Sequence, residues 1–158
     1  VVFSAAGHTH VGGVQGNTLG IDAIKVDEQS AENAGAVTLI GTYTTIADLA
    51  SMTVAVGDRI FAYAYALATK GGTVGMTTLR LIQAAGTAVI TAYNDRPDAQ
   101  ETTNVPVLGD QEFMLSAAFK VTTAGTLTLR FDGNSQGSNS TVAVGSGQIY
   151  ALVLRGVG

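Results

Sequence analysis

The sequence predicts an all-β protein: an antiparallel jelly-roll β-sandwich of about eight strands with an extended N-terminal arm. Three observations carry this. From Gly35 onward, runs rich in Thr, Val, Ile, Tyr and Phe recur at the spacing of about 8–12 residues that marks a sandwich or barrel. Gly, Asn and Asp separate the runs and supply turn conformations. No interval between runs has room for the crossover helices that parallel strands need. Hairpins alternating with longer connections suit a Greek key, and about eight strands suit a jelly roll.

Residues 1–34 are expected to form an arm and loop, and residues 35–158 the sandwich domain. The opening "VVFSAAGHTHVGGVQGNTLG" is glycine-rich and without period, and it lacks the basic region of a signal peptide. "IDAIKVDEQSAENAG" (21–35) reads as a short strand or turn, then a loop. The predicted strands are "AVTLIGTY" (36–43), "MTVAV" (52–56), "RIFAYAYALAT" (59–69), "MTTLRLIQA" (76–84), "TAVITAY" (87–93), "EFMLSAAFKV" (112–121), "GTLTLRF" (125–131), "STVAV" (140–144) and "QIYALVLR" (148–155). Turns are expected at 56–58, 70–75, 94–98, 122–125 and 132–139, with a long connection over 94–111. "TIADLAS" (45–51) reads as a helical turn.

Composition narrows function. Net charge is −4, which argues against nucleic-acid binding by a basic surface. No apolar run reaches the roughly 20 residues of a membrane helix. Without Cys there is no disulfide, thiolate metal site or thiol nucleophile. Charged residues make up 13% of the chain, where globular domains average about 25%. A surface so poor in charge is either rich in uncharged polar groups or hidden against partners.

Chemistry-bearing patterns are sparse. His8 and His10 would share a face on a strand, yet no further His or Cys exists to complete a metal site. Asp95, Asp98, Asp110 and Glu112 fall in or beside the long connection, where carboxylates face water or cap turns. Ser is plentiful, but no G-x-S-x-G elbow is present. "GGTVG" and "GNSQGSNS" lack the following Lys and helix of a phosphate loop and read as hairpin turns. No catalytic residue, metal or cofactor is expected.

The stretch "RIFAYAYALAT" is unusual because neither of its faces suits water. Phe61, Tyr63, Tyr65 and Leu67 alternate with Ile60 and the alanines 62, 64, 66 and 68. One apolar face fills the space between two sheets, and the other needs a separate cover.

"MTVAVGDRIFAYAYALATKGG" (52–72), an apolar strand, a Gly-Asp turn, a long apolar strand and a Gly-rich turn, resembles the hallmark segment of small jelly-roll modules in phage structural proteins. "FKVTTAGTLTLRF" (119–131) is similar to a later element of such modules, and "TVAVGSGQIYALVLRG" (141–156) to their closing strand. The likeness spans roughly residues 36–156 and extends to the wider TNF/C1q-like jelly-roll class. It implies a virion structural protein, often a homotrimer, and carries no catalytic motif. Two roles fit: a capsid decoration (cement) protein on the outer capsid surface, bound to the major capsid protein, or a tail fibre, baseplate or receptor-binding module. A compact domain with an arm and no fibrous repeat favours decoration. By the resemblance, Phe61, Tyr63 and Tyr65 belong to the subunit interface. Phe3, Val11, Val14, Leu19 and Ile21 are the apolar arm residues expected to contact the capsid.

Overall fold

A computed structural model describes residues 26–73, 75–92, 100–104 and 108–156, with the backbone alone for 100–104. The strands are β1 (Val26–Glu32), β2 (Val37–Leu39), β3 (Thr44–Asp48), β4 (Met52–Val54), β5 (Arg59–Lys70), β6 (Thr77–Ala85), β7 (Val89–Ala92), β8 (Gln100–Asn104), β9 (Gly109–Thr123), β10 (Gly125–Ser135) and β11 (Ser140–Leu154). No helix occurs among the described residues.

The strands form two antiparallel sheets. The first runs β1-β11-β5-β9-β7, with β2 also on β11; the second runs β3-β10-β6-β8, with β4 also on β10. From β5 onward successive strands alternate between the sheets, so each connection crosses from one layer to the other. The inner faces meet in one buried cluster. From the first sheet come Ile60, Ala62, Ala64, Ala66 and Ala68 of β5, with Phe119 and Val121 of β9. From the second come Leu79 and Leu81 of β6 and Leu127, Leu129 and Phe131 of β10. The four alanines are small, which leaves room for bulkier partners and keeps the layer close-packed.

Several local expectations change. Residues 45–51, read as a helical turn, overlap β3. Ile46 and Ala47 are buried, and Thr44–Asp48 pairs with β10. A single helical turn would fix several residues for one hydrogen bond, whereas β10 offers a ready ladder. Residues 26–32, placed in the arm and loop, form β1, an edge strand paired over seven residues with β11; the sandwich thus takes in residues ahead of the expected boundary at 34/35. The long connection over 94–111 contains β8, paired with β6, and the first residues of β9. The turn expected over 132–139 is shorter, because β10 continues through Ser135.

Residues 140–144 and 148–155, expected as two strands, are one strand with a large bulge. Val142 pairs with Ala68 and Gly147 with Ala66, so the four residues between them face a single residue of β5. Asn33 holds this bulge. Its Nδ2 donates to the carbonyls of Ala143 (2.7 Å) and Gly35 (2.8 Å), and its Oδ1 accepts from the Gly147 amide (2.8 Å). Gly147 must lack a side chain here, since a Cβ would lie 2.4 Å from Ile46 Cγ2.

At the opposite end, the Gly-Asp turn forms as expected. Gly57 has φ 90°, and the Asp58 amide donates to the Ala55 carbonyl (3.1 Å). The Asp58 carboxylate, 2% exposed, accepts from the Ala55 amide (2.9 Å), Arg155 Nη1 (3.0 Å) and the Gly156 amide (3.3 Å). Arg155 also grips Asp27 and donates to the Thr53 carbonyl (2.7 Å). One carboxylate thereby ties the turn before β5 to the residues after β11, and Arg155 adds β1 and β4.

Candidate interaction surface

The outward faces of the two sheets differ in kind. On the second sheet, charges are paired in place. Arg80 forks onto Asp132 (2.7 and 2.9 Å) and lies 3.6 Å from the Tyr43 ring centroid. Arg130 forks onto Asp48 in the same way (2.7 and 2.8 Å). Asp48 holds the Arg130 guanidinium above its ordinary range by hydrogen bond and charge. This face presents its charges as ion pairs.

The first sheet presents an apolar face instead. Antiparallel pairing places its residues in level rows. Leu152, Phe61 and Ala118 form one row, Tyr150, Tyr63 and Ser116 the next, and Gln148, Tyr65 and Met114 the third. Phe61 is 44% exposed, Tyr63 39%, Tyr150 38% and Met114 65%. Side chains of one row lie about 5 Å apart and interact across the strands. The aromatic face predicted on β5 is thus the middle of a wider surface, and the alanine face lines the core.

The surface has relief. Bulky residues on β11 and β5 make a ridge, and Ser116 and Ala118 on β9 make a notch beside it. An open hollow of about 500 Å³ runs along Phe61, Tyr63, Ser116, Ala118, Tyr150 and Leu152. Charges sit at the margins. Glu28 and Glu32 on β1 flank the ridge, Lys120 and Arg59 occupy one end, and Glu112 lies toward the other. Glu28 accepts a hydrogen bond from Tyr150, whose hydroxyl is held above the ordinary tyrosine range. The larger cause is removal from water by its neighbours; the Glu28 charge and hydrogen bond add to it.

Contiguous exposed apolar surface on a water-borne domain marks a contact site. Aromatic residues with polar tips are the side chains such contacts favour, since they bury large area while keeping a hydrogen-bonding handle. The sequence pointed to the β5 part of this face. It did not single out Met114, Tyr150 or Leu152, although "QIYALVLR" and "EFMLSAAF" alternate with the same period; register shows that these strands flank β5.

A second cluster, absent from the sequence reading, sits at the far end of β5. Lys70, 2% exposed, donates to Ser135 Oγ (2.8 Å) and to the carbonyls of Gln136 (3.0 Å) and Ser138 (3.3 Å). Ser140 Oγ lies 3.1 Å from Ser135 Oγ and 2.6 Å from Thr77 Oγ1. A lysine beside a serine is the pair of groups a serine nucleophile and its base require. Here Ser135 is 2% exposed and directs its hydroxyl to the Ser138 carbonyl (2.6 Å), so the cluster clasps the 136–139 turn and offers no access to a substrate.

Burial lowers the Lys70 pKa from 10.5. The unfolded chain therefore binds more protons between the folded-state value and 10.5, and the Lys70 contribution to stability rises with pH across that window. Lys70→Met is expected to destabilise the fold by about 1–3 kcal/mol at neutral pH by leaving acceptors unmet. The gap between wild type and variant should widen as pH is raised toward 10.5. Urea unfolding of both proteins near neutrality and near pH 10 checks this; a gap independent of pH contradicts it.

Of the other residues singled out in the sequence, Asp110 accepts from Thr69 Oγ1 (2.6 Å) and Glu112 is exposed on β9. Among the described residues, no group of three or more His, Asp or Glu side chains is placed to hold a metal. His8, His10, Asp95 and Asp98 lie outside the described residues, as do the arm positions Phe3, Val11, Val14, Leu19 and Ile21. No protein-family model matches the chain, and no curated protein matches it.

Proposed function

We propose that this chain is a virion structural protein, a jelly-roll homotrimer that decorates a phage capsid and braces its capsomers. The observation that carries the reading is the contrast between the two sheets: one outer face is ion-paired for water, and the other is aromatic and uncovered in the single chain. Such a face is completed by association, and a second copy of the chain is the simplest cover. The capsid assignment rests on the sequence resemblance of residues 36–156 to phage jelly-roll modules.

The strand order favours a jelly roll within the sandwich class. Eight strands form the paths β1-β11-β5-β9 and β3-β10-β6-β8, interleaved so that first and last strands neighbour each other. The β2, β4 and β7 strands are additions to those paths.

The protein works by burying surface, without catalysis. A standard interface of about 1,600 Å² binds well only with good complementarity. A trimer offers several capsid contacts at once, and after the first the others become intramolecular. The arm, through Phe3, Val11, Val14, Leu19 and Ile21, adds capsid contact area. Deleting residues 1–20 is expected to leave a folded trimer that no longer co-sediments with phage shells. Normal co-sedimentation would remove the arm from the account. A gene neighbourhood of tail genes, with binding in a glycan screen, would favour the tail-module reading.

A further inference from the structure

The relief of the aromatic face says how a second copy sits on it. The sheet order β1-β11-β5-β9-β7 puts β5 in the middle, with the ridge strand β11 on one side and the notch strand β9 on the other. Tyr63 on β5 pairs with Tyr150 across one edge and with Ser116 across the other. Phe61 is likewise flanked by Leu152 and Ala118. In these two rows a bulky residue and a small one stand on opposite sides of the central aromatic; in the third row, Gln148–Tyr65–Met114, the exposed Met114 on β9 ends the notch.

We infer that the copies meet ridge to notch, with β11 of one chain against β9 of the next around an axis running along β5. This deepens the homotrimer reading and rests on it. A contact of unlike patches closes into a ring when copies turn about a shared axis. With that axis along the strands, rows stay level: Tyr150 enters beside Ser116 of the next copy, and Leu152 lies over Ala118. Meeting like to like would set notch on notch, leaving a void between Ser116 side chains that forfeits packing contacts.

Charge follows the same arrangement. Lys120 pairs with Arg59, Arg59 with Leu154, and Leu154 with Val26, so these residues make one row. Glu28 lies one step further along β1 from Val26 on the same outward face. With rows level, ridge-to-notch contact sets Glu28 of one copy one row from Lys120 of the next. Opposite charges at such margins set register and suppress wrong pairings.

Cysteine pairs test this cleanly, because the chain has no Cys of its own. Ser116 and Tyr150 within one copy both flank Tyr63, so they are two strand spacings apart, about 10 Å. Disulfides need Cα atoms within about 7 Å, so a bridge within one copy is barred. Under mild oxidation, S116C/Y150C is expected to run on non-reducing gels as covalent oligomers up to a closed trimer. Each single variant should stay monomeric on the gel, and an equal mixture of the two should yield covalent dimers. A118C/L152C repeats the test in the neighbouring row, should loss of the Tyr150 ring weaken assembly. Cross-linking of S116C alone would show like-to-like contact and overturn the inference. So would the absence of cross-links in both double variants while light scattering keeps them at trimer mass, an outcome that leaves the homotrimer reading intact. A wild-type chain that is monomeric by light scattering would remove that reading and this inference with it.

Discussion

Tyr63→Ser is expected to release the subunits from one another without unfolding them. Tyr63 sits at the centre of the exposed rows, between Tyr150 and Ser116, and is 39% exposed in the single chain. A side chain that already faces water contributes little to the core beneath it, which is filled from the other side of β5 by Ala62 and Ala64. In the proposed trimer the same ring would be enclosed by copies of itself and its neighbours. Truncating a central buried aromatic typically costs 2 kcal/mol or more of binding free energy, and each trimer loses the contact three times. At micromolar concentration the variant should therefore elute as a monomer with an unchanged far-UV circular dichroism spectrum. Loss of the β-sheet signal would instead place Tyr63 among the residues that hold the fold.

Asp58→Ala is expected to do the reverse, weakening the fold itself. The Asp58 carboxylate is 2% exposed and accepts from two backbone amides and from Arg155. Removing it leaves the Ala55 and Gly156 amides without that acceptor and takes one of two carboxylates from Arg155. Losing hydrogen bonds to a buried carboxylate costs about 1.5–3 kcal/mol. For a domain of this size that is a fall in melting temperature of roughly 3–12 °C. Asp58→Asn keeps one acceptor oxygen in place and should lose less. Thermal unfolding followed by circular dichroism distinguishes the two. An Asp58→Ala variant that melts with wild type would mean that the turn and the strand ends are held by their ladders alone.

The two predictions separate what was readable in the sequence from what was not. Alternation showed that β5 has two apolar faces, and the resemblance to jelly-roll trimers, not the residues themselves, pointed to the alanine face as the inner one. Alternation could not show which strands lie beside β5. Its neighbours β9 and β11 are about 50 and 80 residues away in the chain, beyond any local pattern. Tyr150, Leu152 and Met114 were therefore hidden as parts of one surface. The strand at Val26–Glu32 was hidden for a related reason: its side chains are largely polar, and its identity comes from the β11 ladder, where tertiary pairing overrides local preference. The segment at Thr44–Asp48 misled in the opposite direction. "TIADLAS" read as a turn of helix, but Asp48 faces outward to Arg130 while Ile46 and Ala47 go inward. Lys70 escaped notice because a lysine at a strand end reads as a solvated charge. Its burial depends on hydroxyls and carbonyls that belong to β10, β11 and the turn between them.

The central claim is that the aromatic face is covered by further copies of the chain. The most direct measurement is the solution mass of the 158-residue chain by light scattering across a dilution series. The account predicts a single species near 48 kDa, three chains of 16.1 kDa each, stable on dilution to the micromolar range. A folded species that stays at 16.1 kDa at every concentration would contradict it.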